Sequence, residues 1–153
     1  MANHLADAAQ KLVFCSPPMP PVLQPVFSRL REILRQQADG CTVARDTAGH
    51  FGLDATIGPA TLRLWKGKMK SQTMPVAWVQ ISKAYVGFHL MGVYGNPKLL
   101  KGCSQPLLAR MHGKSCFNFK AVDEPLFAEL AQLTTESIAG MRTTGYIAPR
   151  EST

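Results

Sequence analysis

The sequence predicts an α+β fold, in which an antiparallel meander sheet of about five to six strands packs against N- and C-terminal amphipathic helices. Two observations support this prediction. Apolar residues recur at helical spacing near both ends of the chain, whereas between these stretches they alternate with polar residues, as in half-buried strands. Short connections that contain turn residues separate the alternating stretches, and short connections favour antiparallel neighbours.

The chain has 153 residues, which suits a single domain that needs neither a disulfide nor a metal ion to fold. No apolar run reaches the roughly 18–20 residues that span a bilayer, and the N-terminus lacks the features of a secretory signal. The four cysteines are irregularly spaced without a C-x-x-C pair, which is typical of reduced thiols. We therefore expect a cytoplasmic protein, a monomer or a homodimer, with no membrane partner and no cofactor.

Composition divides the chain into three segments. Residues 1–24 are predicted to form a proline-rich tail, because "SPPMPPVLQP" holds five prolines within ten residues and favours extended backbone. Residues 25–142 are predicted to form the α+β domain. Residues 143–153 are expected to form a C-terminal tail.

Two long amphipathic helices bracket the predicted sheet. The first is expected in "QPVFSRLREILRQQADG", where Pro25 suits the first turn and Gly40 suits the end. The second is expected in "DEPLFAELAQLTTESIAGM", where Asp123 or Glu124 caps the start and Pro125 lies in the first turn.

The strands are predicted where the apolar period changes to two. "CTVARD" and "HFGLDA" flank a Thr-Ala-Gly turn, and "GPATLRLWKG" is predicted to be a further strand after Gly-Pro. "PVAWVQIS" and "AYVGFHLMGV" are predicted to form a long hairpin, and "KSCFNFK" the last strand. Two short helices, in "NPKLLKG" and "SQPLLARMHG", are expected before that last strand.

The net charge of +7 is unevenly distributed along the chain. Between Ala55 and Val122 there is no Asp or Glu, although both acids occur on either side of this stretch. The stretch contains the basic residues Arg63, Lys66, Lys68, Lys70, Lys83, Lys98, Lys101, Arg110, Lys114 and Lys120. Such a distribution attracts anions, whether phosphate, carboxylate or nucleic acid.

The tripeptide Gly113-Lys114-Ser115 matches the end of a nucleotide-binding P-loop, but the rest of the motif is missing. Leu108 stands where the first glycine of the loop is required. The predicted order is helix and then strand, which is the reverse of the order that presents a helix N-terminus to phosphate. The sequence therefore excludes a P-loop at this position.

Metal binding and nucleophilic catalysis have little support in the sequence. The candidate ligands His89, Cys103, His112 and Cys116 lack the close pairing of structural zinc sites. Cys116 with His112 is the nearest nucleophile–base pair, and no carboxylate in the acid-free stretch is available to orient the histidine. We therefore expect a binding protein in preference to an enzyme, and no resident metal.

The candidate site is the sheet face opposite the helices, because period two directs alternate side chains there. Its predicted residues combine aromatic rings, cations and an amide, and they are Arg63, Trp65, Trp78, Tyr85, His89, Lys114 and Asn118. Three interpretations of this face stay open. The first is a second core layer that other parts of the chain cover. The second is a pocket for a small anionic or aromatic ligand, and the third is a platform on which unpaired nucleic-acid bases stack.

The segments "AWVQISKAYVGFHLMGVYGNPKLLKG" and "MHGKSCFNFKAVDEPLFAELAQLT" resemble the YdhG-like family, a group of small bacterial proteins of unknown function. The resemblance extends roughly from Pro25 to Met141. It implies a compact α+β domain with some architectural similarity to frataxin, and it offers no catalytic residues to transfer. Iron donation by frataxin relies on an acidic ridge, whereas the first helix here has Arg29, Arg31 and Arg35.

Together these observations favour a non-enzymatic YdhG-like protein that binds a small anionic ligand or a protein partner through a basic sheet face. A single-stranded nucleic-acid-binding module is the first alternative. Frataxin-like handling of iron is the second.

Overall fold

The structure is a computed structural model that describes residues 22–68 and 70–150. The predicted N-terminal tail lies almost wholly outside these residues. The long helices are α1 (Leu23–Gln36) and α5 (Glu124–Thr143). The strands are β1 (Thr42–Thr47), β2 (His50–Thr56), β3 (Thr73–Ile81), β4 (Val86–Leu90) and β5 (Cys116–Phe119). The short helices are α2 (Pro59–Leu64), α3 (Met91–Gly95), a 3-10 helix (Pro97–Gly102) and α4 (Gln105–Leu108).

The five strands form one antiparallel sheet in the order β1-β2-β3-β4-β5, which confirms the predicted α+β fold with a meander sheet. Helix α1 packs on β2, β3 and β4 and also contacts α5, which in turn packs on α3, α4 and the 3-10 helix. Strand β1 is an edge strand, exposed along its whole length, and its pairing with β2 is interrupted by an irregularity between Val43 and Arg45. Among the described residues, no helix is long and apolar enough to cross a membrane.

The hydrophobic core lies between the sheet and the two long helices. Apolar side chains at helical spacing in α1, among them Phe27, Leu30 and Leu34, are almost completely buried. They share one cluster with alternate strand residues such as Phe51 and Phe88. Alternation therefore places the strands' apolar side chains on the inner face, as the sequence predicts.

The strand predicted in "GPATLRLWKG" was wrong, because this segment forms helix α2 and the turn after it. Pro59 occupies the first helical turn, where its missing N–H is tolerated. The apolar residues Leu62 and Leu64 of this segment are exposed, with fractional exposures of 43% and 70%. In so short a run the spacing of the apolar residues is compatible with both a strand and a helix, and the Gly-Pro start favours the helix.

Two further boundaries differ from the sequence-based prediction. Strand β4 ends at Leu90, so Met91 begins helix α3 instead of continuing the strand. The chain beyond residue 142 also contributes to the core, since Ile147 is completely buried and forms an isolated antiparallel bridge with Ile57. Packing of the domain therefore extends past the predicted start of the C-terminal tail.

Ion pairs and caps fix the helices to the sheet and to one another. Arg31 and Arg35 of α1 both approach Asp46 of β1, with nitrogen–oxygen distances of 3.8 and 3.3 Å. Both guanidinium groups also lie within 6 Å of the centre of the Phe51 ring, at 5.9 and 5.7 Å. Asp123 caps α5 by accepting a hydrogen bond from the N–H of Leu126 at 3.2 Å. Arg31 and Arg35 therefore contribute to the packing of α1 on the sheet.

Helix α3 packs tightly against α5 at Gly92. A Cβ atom added to Gly92 would lie 2.5 Å from the carbonyl oxygen of Ser137, whereas one added to Gly140 of α5 would meet no atom within 4 Å. We expect Gly92→Ala to lower the free energy of unfolding by about 1–3 kcal/mol through overpacking.

The matched control, Gly140→Ala, is expected to raise the free energy of unfolding by about 0.4–1 kcal/mol, because alanine restricts the unfolded chain. Urea unfolding of the three proteins measures both effects. Equal stabilities for the two variants would contradict the close packing of α3 on α5.

Candidate ligand site on the outer face of the sheet

Two rows of cross-strand partners cross the outer face of the sheet, the face opposite α1. They are called the outer rows below. Successive strands contribute the first row, which consists of Arg45, Gly52, Trp78, His89 and Cys116. The second row consists of Thr47, His50, Gln80, Gly87 and Asn118. Because each row includes every strand, the antiparallel register alone brings residues together that are far apart in the sequence.

Trp78 and His89 form the centre of the first outer row. Their rings stack with centroids 4.6 Å apart and planes inclined by only 9°. Both side chains are half-buried. Each restricts the orientation of the other, so the pair presents a rigid planar wall on the outer face.

Glycines at Gly52 and Gly87 make room beside this wall. A Cβ atom on Gly87 would lie 3.3 Å from Nε2 of His89, which shows that the imidazole extends over this position. A Cβ atom on Gly52 would lie 3.5 Å from Cβ of Trp78, an ordinary contact distance. Gly52 therefore leaves a hollow next to the indole that a larger residue would fill.

Gly52 forms the floor of a groove with a volume of about 340 Å³. This volume is within the usual range of small-ligand pockets. The groove lies over β1, β2 and the first half of β3. Its polar lining combines the guanidinium of Arg45, the imidazole of His50 and the carboxylate of Asp54, and Trp78 forms part of its wall.

The positive charge of the groove comes from one side chain, Arg45. Burial lowers the pKa of His50, and the positive charge of Arg45 lowers it further. Burial likewise lowers the pKa of His89, with a smaller contribution from His50. Since an ordinary histidine titrates near pH 6.5, both imidazoles are mainly neutral at pH 7 and Arg45 is the cation of the groove.

Cys116 contacts two polar side chains of the outer rows. Its Sγ lies 3.5 Å from Nε2 of His89 and donates a hydrogen bond to Oδ1 of Asn118 at 3.2 Å. Burial raises the pKa of the Cys116 thiol. A raised thiol pKa beside a lowered imidazole pKa indicates a neutral pair, not the thiolate–imidazolium pair of a reactive cysteine.

A second cavity, of about 160 Å³, lies between α5 and the 3-10 helix. Glu129 and Glu136 line it together with Cys103, whose pKa is raised by burial and then by these two carboxylates. Glu129 also accepts hydrogen bonds from the backbone N–H and the hydroxyl of Ser104, at 2.9 and 2.7 Å. This acidic cavity would repel an anionic ligand, so the groove on the sheet is the better candidate.

The structure brings together three of the seven predicted site residues, Trp78, His89 and Asn118. Tyr85 precedes β4 at the turn of the β3–β4 hairpin. Lys114 lies before β5, with its Nζ 5.9 Å from the centre of the Tyr94 ring. Arg63 and Trp65 belong to α2 and its C-terminal cap, so the prediction that they lie on the sheet was wrong.

Three charged or titratable residues of the groove were not among the predicted site residues. They are Arg45, His50 and Asp54. Alternation in "HFGLDA" indicates that His50, Gly52 and Asp54 share a face, but the pairing with β3 is needed to place them beside Trp78. The histidine nearest to Cys116 was also missed. The sequence suggested His112, whereas the side-chain contact is made by His89.

Metal coordination has no support among the residues that the structure describes. In these ranges, no group of three or more His, Cys, Asp or Glu side chains is placed to hold an ion. Cys116 and His89 provide two adjacent donors, fewer than the three protein ligands of a catalytic zinc site.

The burial of His89 makes the stability of the fold depend on pH. The pKa of His89 is lower in the folded state than in the unfolded state, so the unfolded state binds more protons as the pH falls through about 6.5. We expect the free energy of unfolding, measured with urea, to fall between about pH 7.5 and pH 5.5.

We expect His89→Gln to reduce this loss. His112→Gln, in which an exposed histidine outside the outer rows is replaced, serves as the control and is expected to keep the wild-type pH dependence. A wild-type protein that gains stability on acidification would contradict the inferred direction, as would an unchanged slope in His89→Gln.

A neutral Cys116 predicts slow alkylation. In a protein in which the other three cysteines are replaced by serine, we expect iodoacetamide to react with Cys116 more slowly than with free cysteine at about pH 7. His89→Gln is expected not to slow the reaction. Mass spectrometry over time measures the alkylation rate. A rate that is higher than that of free cysteine, and that falls in His89→Gln, would instead indicate an activated thiolate.

Comparison of the chain with protein-family models, with curated proteins and with solved structures finds no match. The resemblance to the YdhG-like family therefore stays a prediction, and the groove and the outer rows are interpreted from their own chemistry.

Proposed function

We propose that this protein binds a small, planar, anionic ligand in the groove over β1, β2 and β3, and that it acts by binding and not by catalysis. The observation that carries the proposal is the groove of about 340 Å³, in which a single guanidinium, a carboxylate and an indole surround a glycine floor. Pockets of this size with few, convergent polar groups are typical of small-molecule sites.

The lining defines the ligand's chemistry. The guanidinium of Arg45 can form two parallel hydrogen bonds with a carboxylate or phosphate, and His50 lies next to it in the lining. Asp54 would repel an anion, so it favours a hydrogen-bond donor at the other end of the ligand. The space above Gly52, beside Trp78, suits a flat ring between these two ends.

The chemistry of the outer rows supports binding over catalysis. The Cys116–His89 pair is neutral, and the partner of the thiol is the acceptor Asn118, which does not orient the imidazole. Nucleophilic catalysis needs a base that is oriented by a third group. We therefore assign this pair a role in shaping the outer face.

Both alternatives have weaker support. A strand of nucleic acid needs several cations along one face, whereas the groove combines the guanidinium of Arg45 with the carboxylate of Asp54. Iron handling needs clustered carboxylates, and in α1 the arginines Arg31 and Arg35 pair with the carboxylate of Asp46. A cytoplasmic location, as a monomer or homodimer, is retained from the sequence as part of this proposal.

A thermal-shift screen of aromatic carboxylates and nucleoside monophosphates tests the proposal. A compound present at about 100 times its Kd is expected to stabilise the wild-type protein by roughly 2.7 kcal/mol. Arg45→Gln removes the charge, and Gly52→Ala places a methyl group on the floor without a steric clash. We expect Arg45→Gln to weaken binding by about tenfold or more, since a charge-assisted hydrogen bond contributes about 1.5–3 kcal/mol. Gly52→Ala is expected to weaken binding as well, because its methyl group occupies space that the ring of the ligand needs.

Lys120→Gln is the matched control, because it also removes one exposed cation but lies beyond β5, away from the groove. It is expected to bind like the wild-type protein. The proposal is wrong if no compound in the screen raises the melting temperature, or if Arg45→Gln and Gly52→Ala respond like the wild type.

A further inference from the structure

Helix α2 and the turn that follows it expose three large apolar side chains in sequence. Leu62, Leu64 and Trp65 have fractional exposures of 43%, 70% and 57%. Leu64 and Trp65 follow the buried Thr61 by three and four residues, so they lie on the same side of the helix as Thr61. The side of α2 that holds the buried Thr61 therefore continues, at the C-terminal end of the helix, into exposed apolar side chains.

Cations surround these apolar side chains. Arg63, Lys66, Lys68 and Lys70 are all exposed, and no acidic residue occurs between Ala55 and Val122. The ion pairs among residues 22–68 and 70–150 involve other arginines, none of these four cations. Residues 62–68 together with Lys70 are called the α2 tip below.

The base of the α2 tip is fixed to the domain. The N–H of Gly58 donates to the carbonyl of Tyr146 and the N–H of Ala60 to that of Gly145, both at 2.9 Å. The hydroxyl of Thr61 donates to the same Tyr146 carbonyl at 2.6 Å. Beyond Trp65 the chain reverses through two left-handed residues, Lys66 and Gly67. The apolar side chains are thus presented on an anchored helix.

Three kinds of partner are attracted by cations beside apolar groups, and an anionic membrane surface fits this composition best. Nucleic acid would use the cations and could stack a base on Trp65, but it would leave Leu62 and Leu64 in water. A protein interface would cover the leucines, yet lysine is depleted in such interfaces. At a bilayer surface, leucine and tryptophan enter the headgroup boundary while lysines extend to the anionic headgroups.

We propose that the α2 tip binds the surface of an anionic phospholipid bilayer, with Leu64 and Trp65 inserted between headgroups. The sequence-based expectation of no membrane partner rested on the search for a spanning segment, whereas surface binding needs only an exposed apolar group and neighbouring cations. The proposal concerns a surface separate from the groove and does not depend on the proposed ligand.

Sedimentation with phosphatidylcholine vesicles, with and without phosphatidylglycerol, tests the proposal on the full-length protein. We expect binding to the anionic vesicles and little to phosphatidylcholine alone. Lys66→Glu combined with Lys68→Glu should weaken binding by about thirtyfold or more, because each lysine near an anionic surface contributes about fivefold. Leu64→Ser combined with Trp65→Ser retains every charge and should also weaken binding if these side chains insert.

Lys83→Glu combined with Lys120→Glu is the matched control. It changes the net charge by the same amount as the Lys66/Lys68 variant. The α2 tip precedes the start of β3, whereas Lys83 follows the end of β3 and Lys120 follows the end of β5. The nine residues of β3 span about 30 Å between these two ends. We expect this control to bind almost like the wild type.

Three results of the vesicle experiment would overturn the proposal. They are absence of binding to anionic vesicles, equal losses in the control and in the Lys66/Lys68 variant, and wild-type binding by the Leu64/Trp65 variant. Tighter, tip-dependent binding to single-stranded DNA than to vesicles would also overturn it and would assign the tip to nucleic acid. Circular dichroism confirms that each variant remains folded.

Discussion

The outer face depends on the register in which five antiparallel strands pair. Burial of Phe51, Phe88 and their inner-face neighbours fixes that register, because a slip by one residue would turn every apolar side chain of a strand toward water. The same register aligns Trp78 with His89 and His89 with Cys116. Packing on one side of the sheet therefore determines which chemical groups meet on the other side.

Alternation predicted much of the fold and part of the candidate site. It placed Trp78, His89 and Asn118 on one face, because a strand's period fixes its own faces. It gave no information on pairing between strands, so the contact of Cys116 with His89 and the position of Arg45 required the structure. In "GPATLRLWKG" the apolar residues fit helical spacing, and Leu62 and Leu64 also fit the alternation of a strand. This ambiguity explains why a strand was predicted where helix α2 forms.

The positive charge of the chain is distributed over surfaces with different roles. In α1 the guanidinium groups of Arg31 and Arg35 contact Asp46 and the Phe51 ring, where they join helix to sheet. Arg45 lies in the groove, whereas four cations surround the exposed apolar residues of the α2 tip. Within the acid-free stretch, the cations of the α2 tip precede β3, whereas Lys83 follows β3 and Lys120 follows β5, so this stretch does not correspond to one basic surface.

Strand β1 borders the groove and is hydrogen-bonded to a neighbouring strand on one side only. The irregularity between Val43 and Arg45 further weakens its pairing with β2. Local separation of this edge needs less free energy than opening of the central strands, and it would change the width of the groove. A ligand held by Arg45 would oppose that separation, so slower amide exchange in β1 and tighter binding are two expressions of one linked equilibrium.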